Sequence, residues 1–245
     1  MIVVENICKK YGKKTVLNDI SFEVKPGEIA SFVGSNGCGK TTLLQILAGA
    51  GKTDNGSITI FNHNAYKEKN VFGKYIGYVP QDNPLLNELS VKDNIDFWKS
   101  STKNCDEALI KKLELDKIMN QKVQSLSGGM KRRLSLACAM IGKHPILILD
   151  EPTTSLDMYY RESIQSILME FKNNNGIVLM ATHDSTEILN SDVCFLFDEG
   201  KLIRYNKEDI NLSRTTIEKS LGELVSNNKI QMIQSGKYAK YYKNN

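Results

Sequence analysis

The run Gly34-Ser35-Asn36-Gly37-Cys38-Gly39-Lys40-Thr41 fits the pattern G-x-x-x-x-G-K-[ST] and restricts the chain to a narrow set of architectures. Ile29-Ala30-Ser31-Phe32-Val33 precedes it, a β-branched and aromatic run that reads as a buried strand ending at a glycine. Thr42 to Ala48 follows, apolar at helical spacing and stopped by Gly49. Strand, glycine loop and helix start form the context this pattern needs. The glycines let backbone N–H groups turn inward around phosphate oxygens, where side chains would collide. The helix start adds the positive end of its dipole, and Lys40 adds a point charge for the β- and γ-phosphates. Thr41 supplies a hydroxyl for Mg²⁺. A glycine turn with no ligand would need neither Lys40 nor Thr41. The stretch predicts nucleotide binding.

With 245 residues, 41% hydrophobic and 24% charged, the chain suits one large domain or a domain with a subdomain. No run approaches the ~20 apolar residues of a membrane-spanning helix, and the amino-terminal stretch does not read as a secretory signal. Five scattered cysteines without a C-x-x-C pair argue for reduced thiols and against a disulfide framework or zinc site. Residues 201–245 hold nine Lys or Arg and four Asp or Glu, a charge of +5, so residues 1–200 sum to −1. A near-neutral body with a basic end is not the pattern of a nucleic-acid-binding protein. The end, Lys237 to Lys243, reads as a solvated tail or as a contact for anionic lipid or a partner.

Taken in order, residues 2–24 read as antiparallel strands that turn at Lys25-Pro26-Gly27-Glu28 into the strand before the glycine loop. Asp54-Asn55-Gly56 is a hairpin signal, followed by a strand Ser57–Phe61, and Tyr75–Val79 predicts another strand. From about 82 to 142 the texture is helical. Ser90-Val91-Lys92-Asp93 resembles a capping box, Asp106 predicts a second helix start, and Ser127 a third that ends at Gly142. Ile146–Asp150, Ile177–Ala181 and Val193–Phe197 are apolar runs of strand length, the first two separated by a helix from about Asp157 to Lys172. Strands alternating with helices predict a mostly parallel sheet covered on both faces. Helical spacing at Ile217, Leu221, Leu224 and Val225 predicts a small helix within Ser213–Asn227.

Ile146-Leu147-Ile148-Leu149 ends in Asp150-Glu151, which delivers two carboxylates at a strand's C-terminal edge, where ligands of open parallel sheets sit. Asp150 then suits Mg²⁺ opposite Thr41, and Glu151 is left to polarise an attacking water. The rival is an exposed acidic turn. Leu126-Ser127-Gly128-Gly129-Met130 resembles the LSGGQ signature of the ATP-binding cassette (ABC) family, and it lies shortly before Asp150-Glu151 as it does in that family. Tyr11 resembles the family's adenine-stacking aromatic, Gln81 its glutamine loop, Ser155-Leu156-Asp157 its D-loop and His183 its switch histidine. The resemblance covers about residues 1–205.

The resemblance implies an α/β P-loop NTPase: a mostly parallel sheet covered by helices, an N-terminal antiparallel β subdomain and a helical signature-motif subdomain. It implies a nucleotide-binding domain over 1–230 with 82–142 inserted as helices, and a basic tail over 231–245. ATP and Mg²⁺ are the implied ligands. Tyr11, Gly34, Ser35, Asn36, Gly37, Cys38, Gly39, Lys40, Thr41, Thr42 and Gln81 would bind nucleotide, with Ser127, Gly128 and Gly129 closing over the partner's. Thr41, Gln81 and Asp150 would serve the metal, and Glu151, His183 and Lys40 the hydrolysis. Family members pair head-to-tail, so a second ATP-binding subunit, a copy or a close paralogue, is the implied partner, together with an integral membrane permease and no nucleic acid. The implied location is cytoplasmic, peripheral to the cell membrane. Met130 replaces the usual glutamine and Cys38 a common alanine or serine; neither removes a phosphate donor. Met130-Lys131-Arg132-Arg133-Leu134 resembles the exporter branch. The alternative is a cassette ATPase acting on nucleic acid or ribosomes, against which stand the single cassette and the lack of heptads and zinc patterns.

Overall fold

A computed structural model describes residues 1–99, 107–154, 156–198 and 200–206, with two short strands over 231–234 and 240–242. Two layers of sheet organise it. The chain opens with an antiparallel pair, β1 (Ile2–Tyr11) and β2 (Lys14–Val24), with Ile2 opposite Val24. Gly27, at φ 79°, and the bond from Glu28 N to Lys25 O at 3.2 Å then turn the chain into β3 (Ile29–Val33), buried throughout. The glycine loop leads into α1 (Lys40–Leu47), which stops at Gly49 with φ 73°.

The next strand is β4 (Asn55–Ile60), which pairs with β1 and, on its other side, with β5 (His63–Asn64). Asp54-Asn55-Gly56 is therefore not a hairpin turn, contrary to the reading of its sequence. Asn55 and Gly56 already lie in β4 beside a register shift of β1, and a Cβ on Gly56 would sit 2.4 Å from the Glu5 carbonyl. The true turn is Phe61-Asn62, both at positive φ. Tyr75 likewise ends α2 (Val71–Tyr75), and β6 runs Ile76–Val79.

The helical segment holds α3 (Val91–Lys99), α4 (Glu107–Lys112) and α5 (Gly128–Ile141). Ser90 and Asp93 cap α3 reciprocally, each accepting the other's backbone N–H at 3.1 Å. The Asp106 cap, Ser155 of the D-loop, and the expected helix within 213–227 lie outside the described residues. Then come β7 (Ile146–Asp150), α6 (Met158–Asn173) capped by Asp157, β8 (Ile177–Ala181), α7 (Ser185–Leu189), β9 (Val193–Asp198) and β10 (Lys201–Asn206).

Among the described residues the central sheet runs β10-β9-β3-β8-β7-β6, parallel except for β10. Its strands feed two cores by their alternation. Ile146, Ile148 and Leu179 face β1, β2 and α1, while Leu147, Leu149, Val178 and Met180 face the helices α3 to α6. Both faces are covered, so the strands read as unbroken apolar runs. At roughly 1.5–3 kcal/mol for each buried aliphatic side chain, this double core holds the strand ends in fixed register. Phe22 of the outer sheet touches Phe32 and Phe195 of the central one, with ring centroids 5.4 and 4.9 Å apart.

Candidate active site

Register brings the sequence-predicted residues to one edge. Asp150 lies opposite Ala181, and Ala181 opposite Phe32 of β3, so the glycine loop, Asp150-Glu151 and Thr182-His183 leave three neighbouring strands together. Val79 pairs with Leu149, which sets exposed Gln81 just beyond the same edge. Within the loop Gly37 and Gly39 take φ 76° and 118°, and a Cβ on Gly39 would meet the Val16 carbonyl at 3.0 Å. Gly39 caps α1 without a side-chain bond, so the first-turn N–H groups have no side-chain acceptor at the cap. Lys40 is buried and donates to the carbonyls of Gly34 and Ser35 at 2.8 and 3.1 Å, folding its charge into the loop. Cys38 Sγ is 3.9 Å from Lys40 Nζ. Asn36, Gly37 and Thr41 are exposed, Ser35 and Thr42 half-buried. Tyr11 ends β1 with its ring 55% exposed and Lys9 Nζ 5.4 Å from the centroid.

Asp150 is 2% exposed and hydrogen-bonded to the Thr41 side chain, yet its Oδ2 has no hydrogen-bond partner. Burial pushes its carboxyl upward, and the nearby Glu151 charge pushes the same way. A buried carboxylate oxygen left open beside a hydroxyl is a donor set for a hard cation. Among the described residues no group of three or more His, Cys, Asp or Glu could hold a metal ion.

Glu151 begins the turn after β7 at φ 54°, a left-handed conformation costly for a side chain of this kind. Its N–H donates to Ala181 O at 2.9 Å, and Thr154 Oγ1 donates to its Oε2 at 3.0 Å. Its Oε1 lies 3.9 Å from His183 Nε2. Burial, with a smaller push from the Lys40 charge, lowers the His183 imidazole to about 3. His183 is therefore neutral at physiological pH, and its contact with Glu151 is polar rather than an ion pair.

The signature residues stand elsewhere. Ser127 caps α5, its Oγ accepting from Met130 N at 3.2 Å. Ser127 and Gly128 are exposed, and no hydrogen bond among the described residues joins them to the glycine loop. One chain thus presents two separate anion-type helix starts.

Two charged residues are buried beside the site without having been expected there from the sequence. Arg132, 4% exposed, donates to the carbonyls of Pro80 at 2.5 Å, Pro152 at 3.3 Å and Asp150. Glu187, also buried, accepts from Thr153 and Thr182. A basic residue on a helix and an acid in a short one carry no sequence signal of burial.

This edge, with its glycine loop and strand-end carboxylates, defines a P-loop ATPase. The family profile described as ABC transporter matches residues 17–154. The ABC transporter G family member 20 of Dictyostelium discoideum is 30% identical over 96% of this chain, which spans only 34% of that relative's length. The chain spans 9% of the ATP-binding cassette sub-family A member 2 of Homo sapiens, which is 35% identical over 82% of the chain. The linearmycin resistance ATP-binding protein LnrL of Bacillus subtilis is 32% identical, covering 83% of this chain and 68% of that one. A dimeric ATP-binding cassette in a post-hydrolysis state, bound to ADP and Pi, superposes with a TM-score of 0.77 at 25% identity, covering 84% of this chain and 99% of that one. The chain belongs to the ABC transporter family, whose cassettes are ATP-hydrolysing transport subunits.

Proposed function

We propose that the chain binds MgATP and hydrolyses it at a head-to-tail dimer interface, driving a separate membrane permease. The observation that carries this is the pairing of Glu151 with a neutral His183 at 3.9 Å, beside a helix start with no side-chain cap and the open Asp150 oxygen. Tyr11 offers a ring for adenine, and residues 34–42 offer N–H groups and the Lys40 ammonium for the phosphates. Thr41, Asp150 and Gln81 would hold Mg²⁺, which supplies charge neutralisation for the phosphates when bound. Glu151 accepts a proton from the attacking water, and His183 orients that water and the γ-phosphate. Ser127, Gly128 and Gly129 present their hydroxyl and N–H groups to the nucleotide of the second subunit.

Replacing Glu151 with Gln tests the reading. It deletes the base and leaves the phosphate donors, so turnover should fall by about a hundredfold or more while ATP affinity holds. The dimer should then persist in ATP on sedimentation. Near-normal turnover would refute the role.

Among the described residues no helix is long and apolar enough to cross a membrane, which fits a subunit working on a separate permease from the cytoplasmic face. The segment 82–142 and Gln81 are the surface we assign to that permease. Export is the direction supported by the run Met130–Leu134 and by the resistance function in the name of the linearmycin relative. The match to the ABC transporter family favours transport over action on nucleic acid. We assign the nucleotide-binding domain to 1–230 and leave 231–245 as an appended end.

A further inference from the structure

Thr153 and Thr182 follow different strands, yet both donate their hydroxyls to one carboxyl. Thr153 Oγ1 lies 2.7 Å from Glu187 Oε1, and Thr182 Oγ1 donates to Glu187 Oε2. Thr182 Oγ1 itself accepts from Asp184 N at 2.9 Å, which directs its proton toward Glu187. Glu187 is 2% exposed, and among the described residues no Lys, Arg or His forms an ion pair with it. Burying a carboxyl without a cation is costly, and an apolar side chain would fill the same space. What an apolar side chain could not do is hold two threonines at once.

The two threonines flank the groups proposed to handle the water. Thr153 stands two residues after Glu151, and Thr182 immediately before His183. Glu151 sits at φ 54°, a conformation that persists only where its neighbours over-determine it. The bonds from Glu151 N to Ala181 O and from Thr154 Oγ1 to Glu151 Oε2 restrain the residue itself. The Thr153–Glu187–Thr182 bridge restrains its loop against the loop of His183.

We propose that Glu187 is a positioning residue, which sets the separation of Glu151 and His183 by clamping their two loops through Thr153 and Thr182. The inference rests on the hydrolysis reading above. A carboxylate accepts both hydroxyls; an amide at the same place accepts from Thr182 and donates to Thr153, so the clamp tolerates Gln better than Ala. Reacting groups misplaced by ~1 Å cost about a hundredfold, so a loosened clamp shows in turnover before binding.

The test uses the full chain and its variants Thr153→Val, Thr153→Ser, Glu187→Gln and Glu187→Ala, with Glu151→Gln alongside. ATPase kinetics, affinity for a fluorescent ATP analogue and thermal melting are read for each. Thr153→Val should lower kcat about tenfold or more with KM for ATP within about threefold, and Thr153→Ser should restore most of the loss. Glu187→Gln should fall between wild type and Glu187→Ala. The clamp is overturned if Thr153→Val turns over normally, if Thr153→Ser is as slow as Thr153→Val, or if nucleotide affinity falls in step with kcat. Should Glu187→Ala fail to fold, the Thr153→Val and Thr153→Ser variants still decide. Active Glu151→Gln would sink the hydrolysis reading itself, whereas inactive Glu151→Gln beside normal Thr153→Val would sink the clamp alone.

Discussion

Arg132 donates through Nη2 to the main-chain carbonyl of Asp150, fastening the helix capped by Ser127 to the strand that ends in that buried carboxylate. The same guanidinium reaches Pro80 O, one residue before Gln81, and Pro152 O, one residue after Glu151. Its planar fork meets three carbonyls that no point charge could satisfy together. Arg132 thus ties the signature helix to the strand-end residues within one chain.

Removing that fork should cost more stability than any exposed basic residue. Arg132→Leu leaves buried carbonyls unsatisfied, at roughly 2–4 kcal/mol, or a melting temperature lower by roughly 5–15 °C. Arg132→Lys should recover part of the melting loss but little of the ATPase rate. Equal melting of Arg132→Leu and wild type in calorimetry would show that the three bonds carry no net energy.

Ser127→Arg tests the separation of the two anion-type helix starts. The substituted side chain stands at an exposed position away from the glycine loop. One ATP per chain should still bind, while hydrolysis fails because the fault lies in the partner's site. Equilibrium dialysis gives the stoichiometry. Loss of ATP binding by the isolated chain would contradict a composite site.

Glu187 and His183 pull stability in opposite directions with pH. Burial pushes the Glu187 carboxyl up to about 7 from an ordinary 4.5. Between those values the folded chain keeps a proton that the unfolded chain has released, so this contribution is lost as pH rises. His183 is held at about 3 against an ordinary 6.5. Between those values the unfolded chain holds a proton that the folded chain lacks, so stability falls as pH falls. The two slopes oppose one another over pH 4.5–6.5. Glu187→Gln removes one of them. Its stability relative to wild type should therefore rise as pH goes from 4.5 to 7, by at most about 1.4 kcal/mol per pH unit. Urea titrations across that range give the difference curve; a flat one refutes the buried, protonatable carboxyl.

Strands β3, β7 and β8, the loop, the extent of α6 and the caps of α3 and α5 were legible because each follows from local pattern: unbroken apolar runs, glycines at fixed spacing, Ser before a helical period. Asp54-Asn55-Gly56 misled because turn residues also suit a strand beside a register shift, where Gly56 alone fits against the Glu5 carbonyl. The short α7 was missed since five residues are too few for a period. Arg132 and Glu187 were invisible for a different reason. Their burial comes from tertiary packing of elements far apart in sequence, and a charged side chain reads as solvated until its partners are known.

Cys38 offers a test of how the loop opens. Its Sγ points inward: a Cβ on Gly34 would lie 2.9 Å from it, and the side chain packs against the core beneath the outer sheet. Lys40 Nζ is 3.9 Å away, so any adduct on the sulfur crowds the ammonium we propose for the phosphates. Thiol alkylation should therefore abolish ATPase activity. MgATP should protect, because a bound triphosphate fills the loop through which the reagent enters. Cys138 and Cys194 compete poorly, since burial pushes their thiols up to about 12 and about 11. Cys8 is half-buried on β1, and Cys105 lies outside the described residues, so total thiol loss is not the readout. The readout is peptide mass mapping of Cys38 with and without MgATP, beside activity of Cys38→Ala. That variant should resist the reagent, because alanine keeps the loop backbone and removes only the sulfur. Inactivation of Cys38→Ala at the wild-type rate, or labelling of Cys38 indifferent to MgATP, would show that the loop does not close over its ligand at this residue.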